Sequence, residues 1–97
     1  AILETVEAAV SDFPGLVTGQ RKAVTAWSNK AQFAALKPVK GGKAMLGLAV
    51  TPDASSRLLV PKNEAWSERL KAKLPLASPA EVDDEVRALL KAAWERS

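Results

Sequence analysis

"SNKAQFAALKPVKGGKAMLGLAV", residues 28–50, contains two apolar runs, a Gly41-Gly42 pair between them, four lysines and no acid. Adjacent glycines supply the positive φ that a tight hairpin requires. "KGGK" (40–43) therefore predicts a turn between a strand over 31–38 and a strand over 43–50. Pro38 marks the end of the first of these, because proline cannot donate to a central ladder. Upstream, "KAVTAWS" (22–28) predicts another strand, joined to the 31–38 strand by a tight turn at Asn29-Lys30. Downstream, "WSERLKAKL" (66–74) alternates: Trp66, Leu70, Ala72 and Leu74 fall on one side, and Arg69, Lys71 and Lys73 on the other. Between them, 51–65 is punctuated by Pro52 and Pro61 and predicts a loop with a short extended piece at 58–60.

The ends of the chain have the helical period. Ile2, Leu3, Val6 and Val10 recur on one face, and Pro14-Gly15 stops the segment. Near the other end, Ser78 predicts an N-cap, Pro79 the first helical position and Glu81 the closing acid of a capping box. Val82, Val86, Leu89, Leu90, Ala93 and Trp94 then form a single apolar stripe. The expected fold class is α+β: a four-stranded antiparallel sheet flanked by an N-terminal and a C-terminal helix. It forms one domain over residues 1–97, expected to be a module of a longer protein.

Register predicts where the charge goes. A two-residue turn at Gly41-Gly42 sets Lys40 opposite Lys43, Lys37 opposite Leu46 and Phe33 opposite Val50. A turn at Asn29 sets Thr25 opposite Phe33 and Arg21 opposite Lys37. Arg21, Lys22, Lys37, Lys40 and Lys43 then gather at one end of the sheet, with Lys30 a strand length away. One face carries Phe33, Ala35, Leu46, Leu48 and Val50, a core. The other carries Val24, Ala26, Ala34, Leu36, Met45, Gly47 and Ala49, which a helix covers or which forms a groove for a ligand or partner. A one-residue slip exchanges the faces but leaves the cations at the same end.

The residues "RKAVTAWSNKAQFAALKPVKGGKAMLGLAV" and "SPAEVDDEVRALLKAAWERS" together resemble an uncharacterised bacterial domain family. The resemblance spans about residues 15–97 and rests on Lys22, Gln32, Phe33, Ala34, Pro38, Ser78, Glu81, Val82, Asp83, Glu85 and Ala93. Such domains are catalogued as domains of unknown function, in places with a "predicted transport protein". The resemblance implies the fold and no activity. Ser28-Asn29 stands where the family often has two arginines, Ser67-Glu68-Arg69 where it often has Thr-His-Arg, and Trp94 in place of a tyrosine. Strand order and final helix are also similar, at the level of fold, to small bacterial proteins of the MmcQ/YjbR type.

Composition narrows the functions. The chain has no cysteine and no histidine. Disulfides, thiolate chemistry, the commonest metal and haem ligands, and triads built on His are therefore excluded. No apolar run approaches a membrane span, and the lack of cysteine fits a cytoplasmic protein. "EVDDE" (81–85) reads as an acidic first helical turn that complements the helix dipole. "KGGK" lacks the longer glycine pattern of a phosphate loop. Net charge is +3, but residues 1–20 carry −3 and residues 21–43 carry +6.

No enzyme, cofactor or metal is expected. The expected role is a non-catalytic binding or accessory module with a protein partner or a second copy of the chain. Nucleic acid at the basic rim is the alternative, and a small ligand in the small-residue groove is a third. Candidate binding residues are Arg21, Lys22, Lys37, Lys40, Lys43 and Trp27, the last as a stacking platform together with Trp66.

Overall fold

The computed structural model describes residues 2–21, 24–61 and 70–97, with Arg21 described through its backbone. Helix α1 (Ile2–Val10) precedes strands β1 (Val17–Arg21), β2 (Val24–Ser28), β3 (Gln32–Val39), β4 (Lys43–Leu48) and β5 (Ala72–Leu76), and helix α2 (Asp84–Glu95) follows. Short 3-10 turns occupy Pro52–Ala54 and Pro79–Glu81. The class is α+β, as expected, but the antiparallel sheet has five strands rather than four, in the order β1-β2-β3-β4-β5. The added strand, β1, is an edge strand of sequence "VTGQR". Residues 17–20 are all exposed, so it carries none of the apolar alternation by which a half-buried strand is recognised. The expected strand over 66–74 is shifted: 72–76 pair with β4, and 66–69 lie outside the described residues.

Register departs from expectation in both central hairpins. Val39 pairs with Lys43, so the β3–β4 loop has three residues, and Lys37 faces Met45 while Ala34 faces Leu48. Gly41 and Gly42 have φ of 82° and 74°, the left-handed conformations that the turn requires. Thr25 pairs with Leu36, not Phe33, and a bulge interrupts the ladder between Trp27 and Ser28. Arg21 ends β1 opposite Val24, not opposite Lys37.

These pairings define the buried face. Trp27, Ala34, Leu48 and Ala72 form one row across four strands, and Thr25, Leu36, Leu46 and Leu74 the next. Large and small side chains alternate in the first row, so Trp27 fits beside Ala34 without displacing a neighbour. Both helices close over this face: Ile2, Val6 and Val10 from α1, and Val86, Leu89, Leu90 and Ala93 from α2, belong to the same buried cluster. Phe33, Leu46, Leu48 and Val50 are in the core as expected, joined by Ala34 and Leu36 from the face expected to be the second one. Ala35 moves to that second face with Ala26 and Gly47. Ala35 and Gly47 are nevertheless buried there.

Trp94, expected in the core stripe, sits at its margin. Its ring lies 5.4 Å from that of Phe13, which lies 6.1 Å from Phe33. Its Nε1 donates to the Pro14 carbonyl at 3.0 Å.

The N-cap of α2 is Asp83 rather than Ser78. The Asp83 carboxylate accepts from the Val86 amide at 3.1 Å, and the Ser78–Glu81 segment forms a separate 3-10 turn. Glu81 reaches back to the Ala77 amide at 3.2 Å, one residue before the expected capping-box contact. The acids of this turn are not simply solvated. Arg57 Nη1 donates to both Asp83 oxygens at 3.0 Å and to Glu85 Oε1 at 3.1 Å. Arg57 Nη2 donates to the Glu81 carbonyl at 3.1 Å, and the Ser55 hydroxyl donates to Glu85 Oε2 at 2.9 Å. The loop after β4 is thereby tied to the start of α2.

The Val86 amide, and after it the Arg57 guanidinium, hold the Asp83 carboxyl below the usual aspartate range. A carboxyl whose folded pKa is depressed stabilises the fold fully above its unfolded value and loses that contribution as pH falls through the folded value. Asp83→Asn keeps a capping acceptor but has no charge to lose. In urea titrations, the advantage of the native chain over Asp83→Asn is expected to be present at neutral pH and to disappear as pH falls through the folded value of the carboxyl. Leu48→Ala opens a cavity in the central row and is expected to lower unfolding free energy by about 2–5 kcal/mol in the same measurement.

Candidate binding site at the basic end of the sheet

The β1–β2 turn and the β3–β4 turn lie at the same end of the sheet. Arg21–Val24 closes one hairpin, and Val39–Lys43 closes the other. Arg21, Lys37, Lys40 and Lys43 are therefore brought to one end. Lys22 lies outside the described residues. Lys30 sits in the β2–β3 turn at the far end, seven residues or about 23 Å of strand from Lys37. Lys37, Lys40 and Lys43 are exposed, and no ion pair engages them among the described residues. Trp27 does not join them. It is 1% exposed, inside the core row, and its ring has no face available for stacking.

Two depressions flank Lys43. One, of about 310 Å³, lies over the β4–β5 edge between Val39, Met45, Pro75 and Glu81. The other, of about 250 Å³, lies on the helix-covered side between the first turn of α1 and the strand ends. Its walls are Ile2, Leu3, Leu36, Pro38, Val39 and Ala44, and its polar groups come from Gln20, Thr25 and Lys43. The cavity exists because α1 is short. Nine residues of helix span about 13 Å, whereas the eight residues of β3 span about 26 Å. Thr25 and Gln20 were not among the sequence candidates. The signal for Thr25 was present: it stands two positions from Trp27, so strand alternation puts a hydroxyl on the core face.

Among the described residues no helix is long and apolar enough to cross a membrane. No group of three or more metal-ligating side chains converges among them either. The site is a rim of cations beside a small, mostly apolar hollow. It can hold anions and short apolar groups.

The family model described as Domain of unknown function (DUF5655) matches residues 1–97. The chain belongs to this family. No curated protein and no solved structure matches it. For this DUF5655 domain, family membership agrees with the uncharacterised-domain resemblance of the sequence and assigns no activity.

The conformation of the basic hairpin gives a check on this site. An added Cβ at Gly42 meets nothing within 4 Å, so its positive φ is the only obstacle to substitution. Gly42→Ala is expected to cost about 1 kcal/mol of unfolding free energy, read from the urea midpoint.

Proposed function

We propose that this domain is a non-catalytic, cytoplasmic accessory module that associates with another polypeptide through the outer edge of β1. The observation that carries this reading is the chemistry of that edge. Val17, Thr18, Gly19 and Gln20 are exposed, with Val17 at 59%, and no strand pairs with the outer side of β1 among the described residues. Natural sheets blunt a free edge with lysine, proline, a bulge or a covering element. Arg21 at the end of β1 is its one charged residue, and residues 17–20 carry neither charge nor proline, so that stretch of the edge is a template for strand addition.

A second copy of the chain fits it. Antiparallel self-pairing about Gly19 sets Val17 opposite Arg21 and Thr18 opposite Gln20, with no like charges opposed, and gives the closed two-fold arrangement usual for homodimers.

Gly19 provides a test that spares the fold. Its φ is not positive, and a Cβ there meets nothing within 4 Å. Gly19→Lys sets two ammonium groups across the two-fold axis and protects the edge of the monomer. Sedimentation equilibrium is expected to show a concentration-dependent dimer for the native chain, weakened about tenfold or more by Gly19→Lys. A native chain that stays monomeric to millimolar concentration rules out self-pairing.

One further observation favours a second reading, nucleic-acid binding. Lys37, Lys40 and Lys43 form an exposed rim without acidic partners among the described residues, which suits phosphates. Under that reading single-stranded DNA binds with affinity falling steeply with salt. The Lys37→Gln, Lys40→Gln, Lys43→Gln triple variant then flattens the slope of log affinity against log salt by about two to three.

A further inference from the structure

Strand β5 has two unlike edges. Toward β4 it pairs along its whole length, from Ala72 to Leu76. On its outer side, among the described residues, it pairs at one position. The Leu59 amide donates to the Lys73 carbonyl and the Lys73 amide donates to the Leu59 carbonyl, each at 2.8 Å. Alternation along an antiparallel strand therefore sends the Ala72 and Leu74 amides the other way, into the ladder with β4. Pro75 has no amide to offer the outer edge.

The segment that makes this bridge is lightly anchored. Leu58 reaches the core cluster, but Leu59 and Val60 are 48% and 62% exposed. Its remaining hold is polar. The Leu58 amide donates to the Ser55 carbonyl at 3.2 Å, and the Arg57 amide to the Ser55 hydroxyl at 3.2 Å. That hydroxyl donates to Glu85, and the Arg57 guanidinium donates to Asp83, Glu85 and the Glu81 carbonyl. Arg57 thus fastens the segment to the start of α2, two residues before the bridge.

We infer that residues 55–60 form a strap that guards the outer edge of β5, and that the Arg57 contacts keep it shut. Closed, the strap occupies the Lys73 N–H and C=O, which are otherwise a template for another extended segment. Open, it releases both groups while β5 keeps its ladder with β4. Opening is local because it gives up one bridge, one buried side chain and the Arg57 contacts, and leaves the helices on the sheet. β5 and β1 lie at opposite edges of the sheet, so the strap does not depend on pairing at β1.

The test is native-state hydrogen exchange of the isotope-labelled 97-residue chain in low urea. The Lys73 amide reports the strap, and the Leu74 amide, directed to β4, reports the sheet. Lys73 is expected to exchange faster than Leu74 with little dependence on urea, because local opening exposes little surface. Arg57→Gln, at a side chain already 29% exposed, is expected to accelerate Lys73 about three- to tenfold. Leu48→Ala weakens the closed and open forms alike, so it accelerates Leu74 and leaves Lys73 unchanged. The same pattern is expected in Gly19→Lys, where pairing at β1 is blocked. The inference is overturned where Lys73 and Leu74 share one urea dependence, where Leu48→Ala accelerates both equally, or where Arg57→Gln leaves Lys73 unmoved. The urea dependence decides by itself where Leu48→Ala does not fold.

Discussion

Trp27 can be buried in only one register. Its row runs Trp27, Ala34, Leu48, Ala72, and the small side chain at Ala34 leaves room for the buried indole beside it. Sliding β3 by one residue would set Ala35 or Phe33 beside it and turn Leu36 away from the core. Each partner of Trp27 would then lose burial worth about 1.5–3 kcal/mol for a leucine-sized side chain. The register so fixed also decides where the hairpin turns fall, and with them the cations. The positive rim is thus a by-product of core packing: the residues that carry it are held at one end because apolar residues two or three strands away must face inward.

The acidic turn before α2 has a cation of its own. Arg57 is withdrawn from the sheet and spent on the acidic turn before α2, where it binds Asp83, Glu85 and the Glu81 carbonyl. Both partners are about half exposed, so the pairs themselves contribute modestly. Their effect is geometric. They fix the long connection after β4 against α2. Lys37, Lys40 and Lys43 are left facing solvent.

Much of this could be read from the residues. The existence of the Gly41-Gly42 hairpin though not its register, the apolar stripe Val86 to Ala93 of α2 though not its start, and the alternation Ala72–Leu74 appear as the pattern predicts, because each buries one face against the core. What the pattern could not give was anything decided by contacts without burial. β1 leaves no hydrophobic signature because an exposed edge strand needs none. The register of β2 against β3 is set by a bulge at Trp27–Ser28, which inserts a residue without marking the sequence. Two acceptable caps compete before α2, and Asp83 wins over Ser78 through Val86 and Arg57, a partner 26 residues away. For the site, the gathering of lysines was legible from turn chemistry. The burial of Trp27, which removes it as a stacking surface, required knowing that both helices choose its face.

The hydrogen bond from Trp94 to the Pro14 carbonyl joins groups 80 residues apart. The sheet itself is a succession of neighbouring hairpins, able to zip locally as it emerges from the ribosome. α1, by contrast, shares its cover with the distant helix α2, and contacts so far apart along the chain slow closure. The cover over Ile2, Val6 and Trp27 is therefore complete only once α1 and α2, far apart in sequence, have met on the sheet. Until then the face around Trp27 is exposed apolar surface of the kind that makes folding intermediates prone to aggregation.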